Sequence, residues 1–150
     1  MTLPALAGKW EGTGTGGFPT IDGFSYREVL EIREREGLFH YELSTWRIDG
    51  AEEVPSHQET GFIRIGDDGT VEMLNAQGSD RVEVLRGTAS ATGRTLVIDA
   101  ESVAIAGDDR MIRSWRSLEL QGDELRYTMG MATTRVPDGA THLTARLVRA

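Results

Sequence analysis

The sequence predicts an all-β fold, a single antiparallel up-and-down barrel of about ten strands that takes up residues 1–150 as one domain. Short runs of residues alternate between apolar and polar with a period of two, which is typical of half-buried strands. Eighteen glycines, mostly beside polar turn formers, separate these runs, and glycine supplies the positive φ that tight hairpins require. No stretch longer than one turn has the apolar stripe of an amphipathic helix.

The predicted strands follow one another along the chain. The first covers the glycine-rich segment after Gly8, where we expect Trp10 to plug one end of the barrel and the glycines to let the strand bend. Later strands show alternating residues of one parity: Tyr26, Glu28, Leu30 and Ile32; Phe39, Tyr41, Leu43 and Thr45; Leu96, Ile98 and Ala100; Leu125, Tyr127, Met129 and Met131; Leu143, Ala145 and Leu147. Predicted turns lie at Glu36-Gly37, Asp49-Gly50, Asp67-Asp68-Gly69, Gly78-Ser79, Thr92-Gly93, Gly107-Asp108, Gly122-Asp123 and Asp138-Gly139.

Closure of these strands into a barrel is favoured because an open meander would expose two unpaired edges. A barrel with this many strands encloses more space than its own side chains fill. The sequence therefore predicts room for a small ligand inside.

Composition excludes several classes of function. The net charge of −8, with no basic patch interleaved with aromatic residues, argues against nucleic-acid binding. The absence of cysteine excludes disulfides, thiolate zinc sites and iron–sulfur clusters. No basic leader precedes an apolar run at the N-terminus, and no run approaches the length of a membrane span. We therefore expect a cytoplasmic protein with no membrane partner.

The segment from Gly8 to Thr20 is rich in glycine but does not form a phosphate loop, because no Gly-Lys-Ser/Thr follows in a strand–loop–helix context. Trp10 and the glycines have a packing role in any barrel. In addition, the bare backbone at Gly12, Gly14, Gly16 and Gly17 offers a flat ligand a surface to lie against. The residues Phe18, Pro19 and Thr20 then end the strand, where Thr20 presents a hydroxyl.

This segment also carries a family resemblance. Residues 8–14 read G-K-W-E-G-T-G, which matches the G-x-W-x-G-x-G motif of the nitrobindins, and the Phe18-Pro19-Thr20 that follows is similar to that family. Further similar stretches, in the same order, are Tyr26-Arg27-Glu28, Ser44-Thr45-Trp46, Glu59–Phe62, Leu125-Arg126-Tyr127, Met129–Thr134 and His142–Leu147. The chain resembles a nitrobindin over its whole length.

The resemblance implies a ten-stranded, calycin-like barrel related to fatty-acid-binding proteins. Nitrobindins bind heme b at the barrel mouth, one per subunit, through a single histidine to ferric iron. They are credited with binding nitric oxide and with isomerising peroxynitrite to nitrate. By position, His142 matches the axial ligand and the catalytic centre, and His57 matches a distal residue. Other expected cofactor contacts are Phe18, Pro19 and Thr20. Met131 is predicted either to fill the core together with Met129 or to form an apolar wall beside the heme.

The three histidines differ in their predicted settings. Without cysteine, a heme iron here takes His, Met or Tyr. His40 shares its parity with Glu42 and Ser44 in a predicted strand, so we expect it to face water. His57 follows Pro55-Ser56 in a predicted loop, where it either reaches a bound ligand or lies at the surface.

His142 begins the last predicted strand, but its parity is that of Thr144 and Arg146, opposite to the apolar set that starts at Leu143. A position at the rim, where alternation need not hold, would resolve this conflict. A β-bulge would also resolve it. Both placements remain open from the sequence.

Other functions share the same fold. One is a calycin-like carrier of a fatty acid or another apolar ligand without heme, with Arg113 or Tyr127 receiving the carboxylate. Others are a heme carrier or nitric-oxide sensor without turnover, and a barrel that has lost heme, since Ala140-Thr141 replaces a pair that is often Gln-Pro in the family. Glu59 and Arg64 are each candidates for internal polar contacts. The protein is expected to be a monomer or a homodimer.

Overall fold

The computed structural model describes residues 2–150 and shows a closed antiparallel barrel of ten strands. The strands are β1 (Gly8–Phe18), β2 (Ile21–Arg35), β3 (Leu38–Asp49), β4 (Glu52–Ile65), β5 (Thr70–Gln77), β6 (Val82–Thr92), β7 (Thr95–Ala106), β8 (Met111–Gln121), β9 (Glu124–Thr133) and β10 (Ala140–Arg149). Each strand pairs with its neighbours in sequence, and β1 pairs with β10 to close the ring. The predicted fold class is confirmed. Within residues 2–150 no helix is long and apolar enough to cross a membrane.

The hairpin turns fall where the glycines predicted them. At the β2–β3 turn both Glu36 and Gly37 have positive φ, 53° and 79°, which is the requirement of a type I′ turn. The turn predicted at Gly78-Ser79 is present, but its positive φ of 74° is on Asp80. A short polar side chain tolerates this conformation better than most residues do.

The antiparallel order gives the barrel two different ends. Trp10 lies at the end that the N-terminal segment closes; it is fully buried, and its Nε1 donates a hydrogen bond to the Leu6 carbonyl oxygen at 3.1 Å. The Arg149 guanidinium lies 4.2 Å from the centre of the indole ring. Trp10 therefore plugs this end, as predicted. The β1–β2, β3–β4, β5–β6, β7–β8 and β9–β10 turns surround the opposite end, which we call the mouth.

The inward-facing residues are those that the alternation predicted, but they are not all apolar. The closed half of the barrel contains a hydrophobic core that includes Leu85, Leu96 and Leu147. Nearer the mouth the interior also buries charged and polar side chains, namely Glu28, Glu59, Glu83, Arg116, Asn75 and Ser114.

The predicted bare surface for a flat ligand is wrong at Gly12, Gly14 and Gly16, where the protein's own atoms cover the backbone, whereas at Gly17 only the Gly23 Cα lies nearby and the prediction stays a prediction. The ring of Tyr26, on the neighbouring strand, lies against Gly14, and the ring of Phe24 lies against Gly16. A Cβ added at Gly14 would be 2.4 Å from Tyr26 Cζ. The missing side chains instead let aromatic rings of the protein approach the backbone closely.

We expect the substitution Gly14→Ala to lower the free energy of unfolding by about 1–3 kcal/mol, since overpacking displaces the Tyr26 ring and the backbone of β10. Gly17→Ala in the same strand is the matched control, because its Cβ would meet only Gly23 Cα at 3.6 Å. Urea unfolding of both variants checks this. Equal losses in the two variants would contradict the close-packing account of Gly14.

Candidate functional site

A cavity of about 240 Å³ lies inside the barrel on the mouth side of the core. Half-buried residues around its outer part include Phe24, Met129 and Leu143. The wall beneath them consists of buried polar side chains, which we call the polar floor: Glu28, Glu59, Glu83, Arg116 and Tyr127. The cavity thus has apolar side chains above a charged interior, with Ser79 and Arg81 of the β5–β6 turn also in its wall at the mouth.

His142 lies in this cavity because of a β-bulge. In the pairing of β10 with β9, Thr141 is opposite Gly130 and Leu143 is opposite Met129, so that His142 is the extra residue. The bulge places both His142 and Leu143 in the cavity wall. The bulge explains how His142 can face the cavity although its position in the alternation is that of Thr144 and Arg146. A bulge was one of the two explanations that the sequence left open.

The orientation of the His142 ring is fixed by its neighbours. Its Nδ1 lies 2.9 Å from the carbonyl oxygen of Gly17. A carbonyl only accepts hydrogen bonds, so Nδ1 carries a proton, and in the neutral ring Nε2 keeps its lone pair. The rings of Phe18 and Phe24 pack edge-on against the imidazole, with centroids 5.9 and 6.3 Å away. Burial lowers the pKa of His142, more than the Gly17 carbonyl raises it, and so favours the neutral ring.

His57 also lines the cavity, but it does not lie in a loop, so that prediction is wrong. It belongs to β4, where Thr45 is opposite His57 and Trp46 is opposite Pro55, leaving Ser56 as a bulged residue. A proline is tolerated in a strand at such a bulge. The Nε2 of His57 lies 3.3 Å from Glu59 Oε1.

Arg116 lies at the centre of a buried ionic network that the sequence reasoning missed. Its Nη1 and Nη2 donate to Glu59 at 2.5 and 3.0 Å, and Nη2 also donates to Glu83 Oε1 at 3.0 Å. Burial by itself would raise the pKa of Glu59, but Arg116 and hydrogen bonds from His57 and Tyr41 hold it well below its usual range. Arg116 shares its parity with Leu118 and Leu120 in β8, which was the available signal that it faces inward.

Glu59 and Arg64 were both predicted as internal polar residues; this is confirmed for Glu59 and wrong for Arg64. Arg64 is exposed on the outside of β4, whereas Glu59 points inward, because the two residues differ in parity. The ionic partner of Glu59 is Arg116, on the other side of the interior.

Glu28 forms a second group of buried polar atoms. The hydroxyl of Tyr127 donates to Glu28 Oε1 at 2.5 Å, and the hydroxyl of Tyr26 donates to that of Tyr127 at 2.6 Å. Burial raises the pKa of Glu28 to about 7, with a further contribution from Glu59, against the opposing effects of Tyr127 and Arg116. The carboxyl is therefore largely neutral below pH 7.

Comparison with known proteins identifies the family. Residues 1–149 match the model of the THAP4-like, heme-binding β-barrel domain. The chain belongs to this family. It is 35% identical over 152 residues to peroxynitrite isomerase 2 of Mycobacterium marinum, covering 98% of this chain and 92% of that protein. It is 32% identical over 144 residues to peroxynitrite isomerase 1 of Mycobacterium tuberculosis, covering 91% and 87%.

The fold of this THAP4-like barrel is also that of a solved relative. The crystal structure of Rv2717c from M. tuberculosis superimposes with a TM-score of 0.88 at 31% identity, covering 97% of this chain and 92% of that chain. The resemblance that the motifs indicated is confirmed.

The donor groups of the cavity fit the heme that THAP4-like barrels bind. Within residues 2–150 the Nε2 of His142 has no hydrogen-bond partner, whereas His57 Nε2 lies beside Glu59. The hydroxyls of Tyr26 and Tyr127 are engaged with each other and with Glu28. His40 faces outward, as predicted, and its Nε2 lies 3.0 Å from Thr60 Oγ1. His142 is thus the histidine of the cavity wall whose Nε2 is unpartnered in the described chain, whereas the Nε2 of His57 is engaged with the Glu59 carboxylate.

The other predicted contact residues lie in different settings. Met131 lines the cavity, and Phe18 is buried against the His142 ring. Pro19 and Thr20 form the exposed β1–β2 turn at the mouth, outside the cavity wall. Their contact with a cofactor stays a prediction.

The carboxylate-binding role considered for Arg113 is not supported by its position. Arg113 is on the outer face of β8, where its Nη1 donates to Glu101 at 3.3 Å, and its side chain is 43% exposed. The internal arginine is Arg116, and both of its Nη atoms are already held by carboxylates.

Stability should depend on the protonation of Glu28. The pKa of Glu28 is raised from 4.5 to about 7 in the fold, so the fold favours the neutral form, and stability is lost as pH rises through this window. One unit of pKa difference corresponds to about 1.4 kcal/mol, so the free energy of unfolding falls by about 3 kcal/mol as pH rises from 4.5 to above 7. Glutamine does not titrate, so we expect Glu28→Gln to become more stable, relative to the wild type, between pH 4.5 and pH 8.

Urea unfolding at several pH values measures this change, and Glu42→Gln, on the exposed face of β3, is the control. A stability difference between wild type and Glu28→Gln that stayed constant with pH would contradict the burial of a neutral carboxyl.

Proposed function

We propose that this chain binds one heme b per subunit through Nε2 of His142, with ferric iron, binds nitric oxide and isomerises peroxynitrite to nitrate. The observation that carries the proposal is the placement of His142 in the cavity wall, with its Nδ1 held by the Gly17 carbonyl and its Nε2 without a partner in the described chain. Relatives at 32–35% identity that are named peroxynitrite isomerases support the reaction.

The size of the cavity supports heme placement at the mouth. Pockets that enclose ligands of drug size have volumes of about 300–1,000 Å³, and the cavity holds about 240 Å³. A tetrapyrrole is too large for this cavity to enclose, so that Phe18, Pro19 and Thr20, where β1 ends and the β1–β2 turn begins, would hold the part outside it. This position gives the exposed Thr20 hydroxyl its proposed role beside the cofactor edge.

The residues of the chain orient and tune the site. The Gly17 carbonyl fixes the His142 tautomer and increases the basicity of Nε2, as carbonyl partners of ligating histidines do. Phe18 and Phe24 restrain the ring from two sides. When bound, heme iron supplies the Lewis-acid and redox chemistry for the peroxide bond of peroxynitrite. His57, four strands round the barrel from β10, is proposed to hydrogen-bond the distal ligand, and Met131 to exclude water.

Titration of the purified chain with hemin, followed at the Soret band, tests the proposal. We expect saturation at one equivalent and a shift of the band on addition of nitric oxide. Stopped-flow mixing of the loaded protein with peroxynitrite should then show faster decay than free hemin gives, with a higher yield of nitrate. Saturable heme binding without faster peroxynitrite decay would show that the protein is not an isomerase and would favour a heme carrier or sensor.

A further inference from the structure

The carboxyl of Glu28 has one oxygen that nothing in the described chain satisfies. Its side chain is 1% exposed, and Oε1 accepts the hydrogen bond from Tyr127, but Oε2 has no partner within residues 2–150. An unpaired buried polar atom typically costs about 1–3 kcal/mol. Because Glu28 lines the cavity, a group from outside the chain can supply the missing hydrogen bond.

The other carboxyls of the polar floor are fully occupied. Glu59 accepts hydrogen bonds from Arg116 on both oxygens, and from Tyr41 at 2.6 Å. Glu83 accepts from Arg116, from Gln77 at 2.7 Å, and from Ser114. Glu28 is therefore the carboxyl of the floor that still has an oxygen free to accept a hydrogen bond.

The charge of the floor selects the kind of group that can bind there. In the floor, Glu59 and Glu83 face the single guanidinium of Arg116, so that this arginine has no donor free for an anion. The other arginine of the cavity wall, Arg81, lies in the β5–β6 turn at the mouth and pairs with Asp108 at 3.1 Å; its Nε has no partner in the described chain, but Arg81 is not among the charges that act on Glu28. The field of Glu59 also acts on Glu28 more strongly than that of Arg116. A carboxylate would be repelled here, whereas a cation would be attracted.

The cation is organic rather than metallic. Within residues 2–150 no group of three or more His, Asp or Glu side chains is placed to hold a metal ion. Above the floor, the side chains of Phe24, Met129 and Leu143 give the cavity apolar walls. A ligand that matches both the apolar walls and the acidic floor has an apolar body and one cationic end that donates hydrogen bonds.

We propose that the floor of this cavity binds a small amphiphilic amine, whose ammonium group donates hydrogen bonds to Glu28 Oε2 while its apolar body lies between Phe24, Met129 and Leu143. The site needs only the cavity and its floor. It therefore stands independently of the proposed heme function, and it is tested on the heme-free chain.

Isothermal titration with three probes of one shape tests the proposal: 2-phenylethylamine, 2-phenylethanol and 3-phenylpropionate. We expect the amine to bind at least about tenfold more tightly than the carboxylate, since an attractive contact at Glu28 is exchanged for repulsion. In Glu28→Gln the preference for the amine should disappear, whereas Glu42→Gln, which removes an exposed carboxyl, should keep it. Equal binding of amine and carboxylate, or an unchanged preference in Glu28→Gln, would overturn the proposal.

The pH dependence of the wild type gives a test that needs no variant. The ammonium group pairs with ionised Glu28, whose pKa is raised to about 7 by burial, so binding must expel a proton at lower pH. Amine affinity should rise roughly tenfold between pH 6 and pH 8. The charged and titratable groups around Glu28 in the interior are Tyr26, Tyr41, Glu59, Glu83, Arg116 and Tyr127.

His57 and His142 also line the cavity, and both remain in Glu28→Gln. The rise with pH should therefore be absent from this variant. Amine affinity that does not change with pH in the wild type, or that rises equally in Glu28→Gln, would overturn the role of Glu28.

Discussion

Replacing His142 by alanine is expected to weaken hemin binding by at least about hundredfold and to remove the Soret band of the one-to-one complex. Loss of an outer partner of a metal ligand alone typically costs about 10–100-fold in affinity, and this substitution removes the ligand itself. His40→Ala is the matched control, because His40 is on the outer face of the barrel beside Thr60 and Phe62. Titration followed by absorption compares the two variants.

A second variant separates ligation from packing. His142→Gly leaves the space of the imidazole open between Phe18 and Phe24. Added imidazole should occupy this space and partly restore the Soret band, whereas it should have little effect on the His40→Ala complex. Unchanged hemin affinity in His142→Ala, or a spectrum identical to that of the wild type, would show that another residue holds the iron.

The fold could be predicted because alternation and turns are local properties. The run Leu143, Ala145 and Leu147 has the period of a half-buried strand whatever lies beside it, and these residues do face inward. For His142 the sequence left two explanations, a position at the rim and a β-bulge, and could not decide between them. A β-bulge is an extra residue in the pairing of β10 with β9, and the sequence of β10 alone does not determine where it occurs.

The interior contacts could not be predicted, because they depend on register across the whole ring. Glu59 and Arg116 are 57 residues apart in sequence. Parity places each of them inside, but only closure of the barrel brings them together. The same holds for Gly14, whose bare face is covered by Tyr26 from the neighbouring strand. Pro55-Ser56 misled the interpretation of His57, because a bulge and a loop favour the same residues.

Replacing Arg116 by methionine is expected to lower the free energy of unfolding by about 3–5 kcal/mol near pH 7, since removing one member of a buried ion pair leaves its partner charged and uncompensated. Here Glu59 loses two hydrogen bonds and Glu83 loses one. Arg113→Met in the same strand is the matched control. Arg113 pairs with Glu101 at the surface, and exposed pairs contribute only about 0–1 kcal/mol.

The pH dependence distinguishes lost charge pairing from lost packing in Arg116→Met. The pKa of Glu59 is lowered in the wild-type fold, so the stability that it contributes is present above its ordinary pKa of 4.5 and is lost as pH falls. The difference between wild type and Arg116→Met should therefore shrink below about pH 4.5, and adding Glu59→Gln should recover part of the loss near pH 7. A deficit that is constant with pH and unaffected by Glu59→Gln would instead assign the role of Arg116 to its hydrocarbon stem, since a long cationic side chain also stabilises through packing.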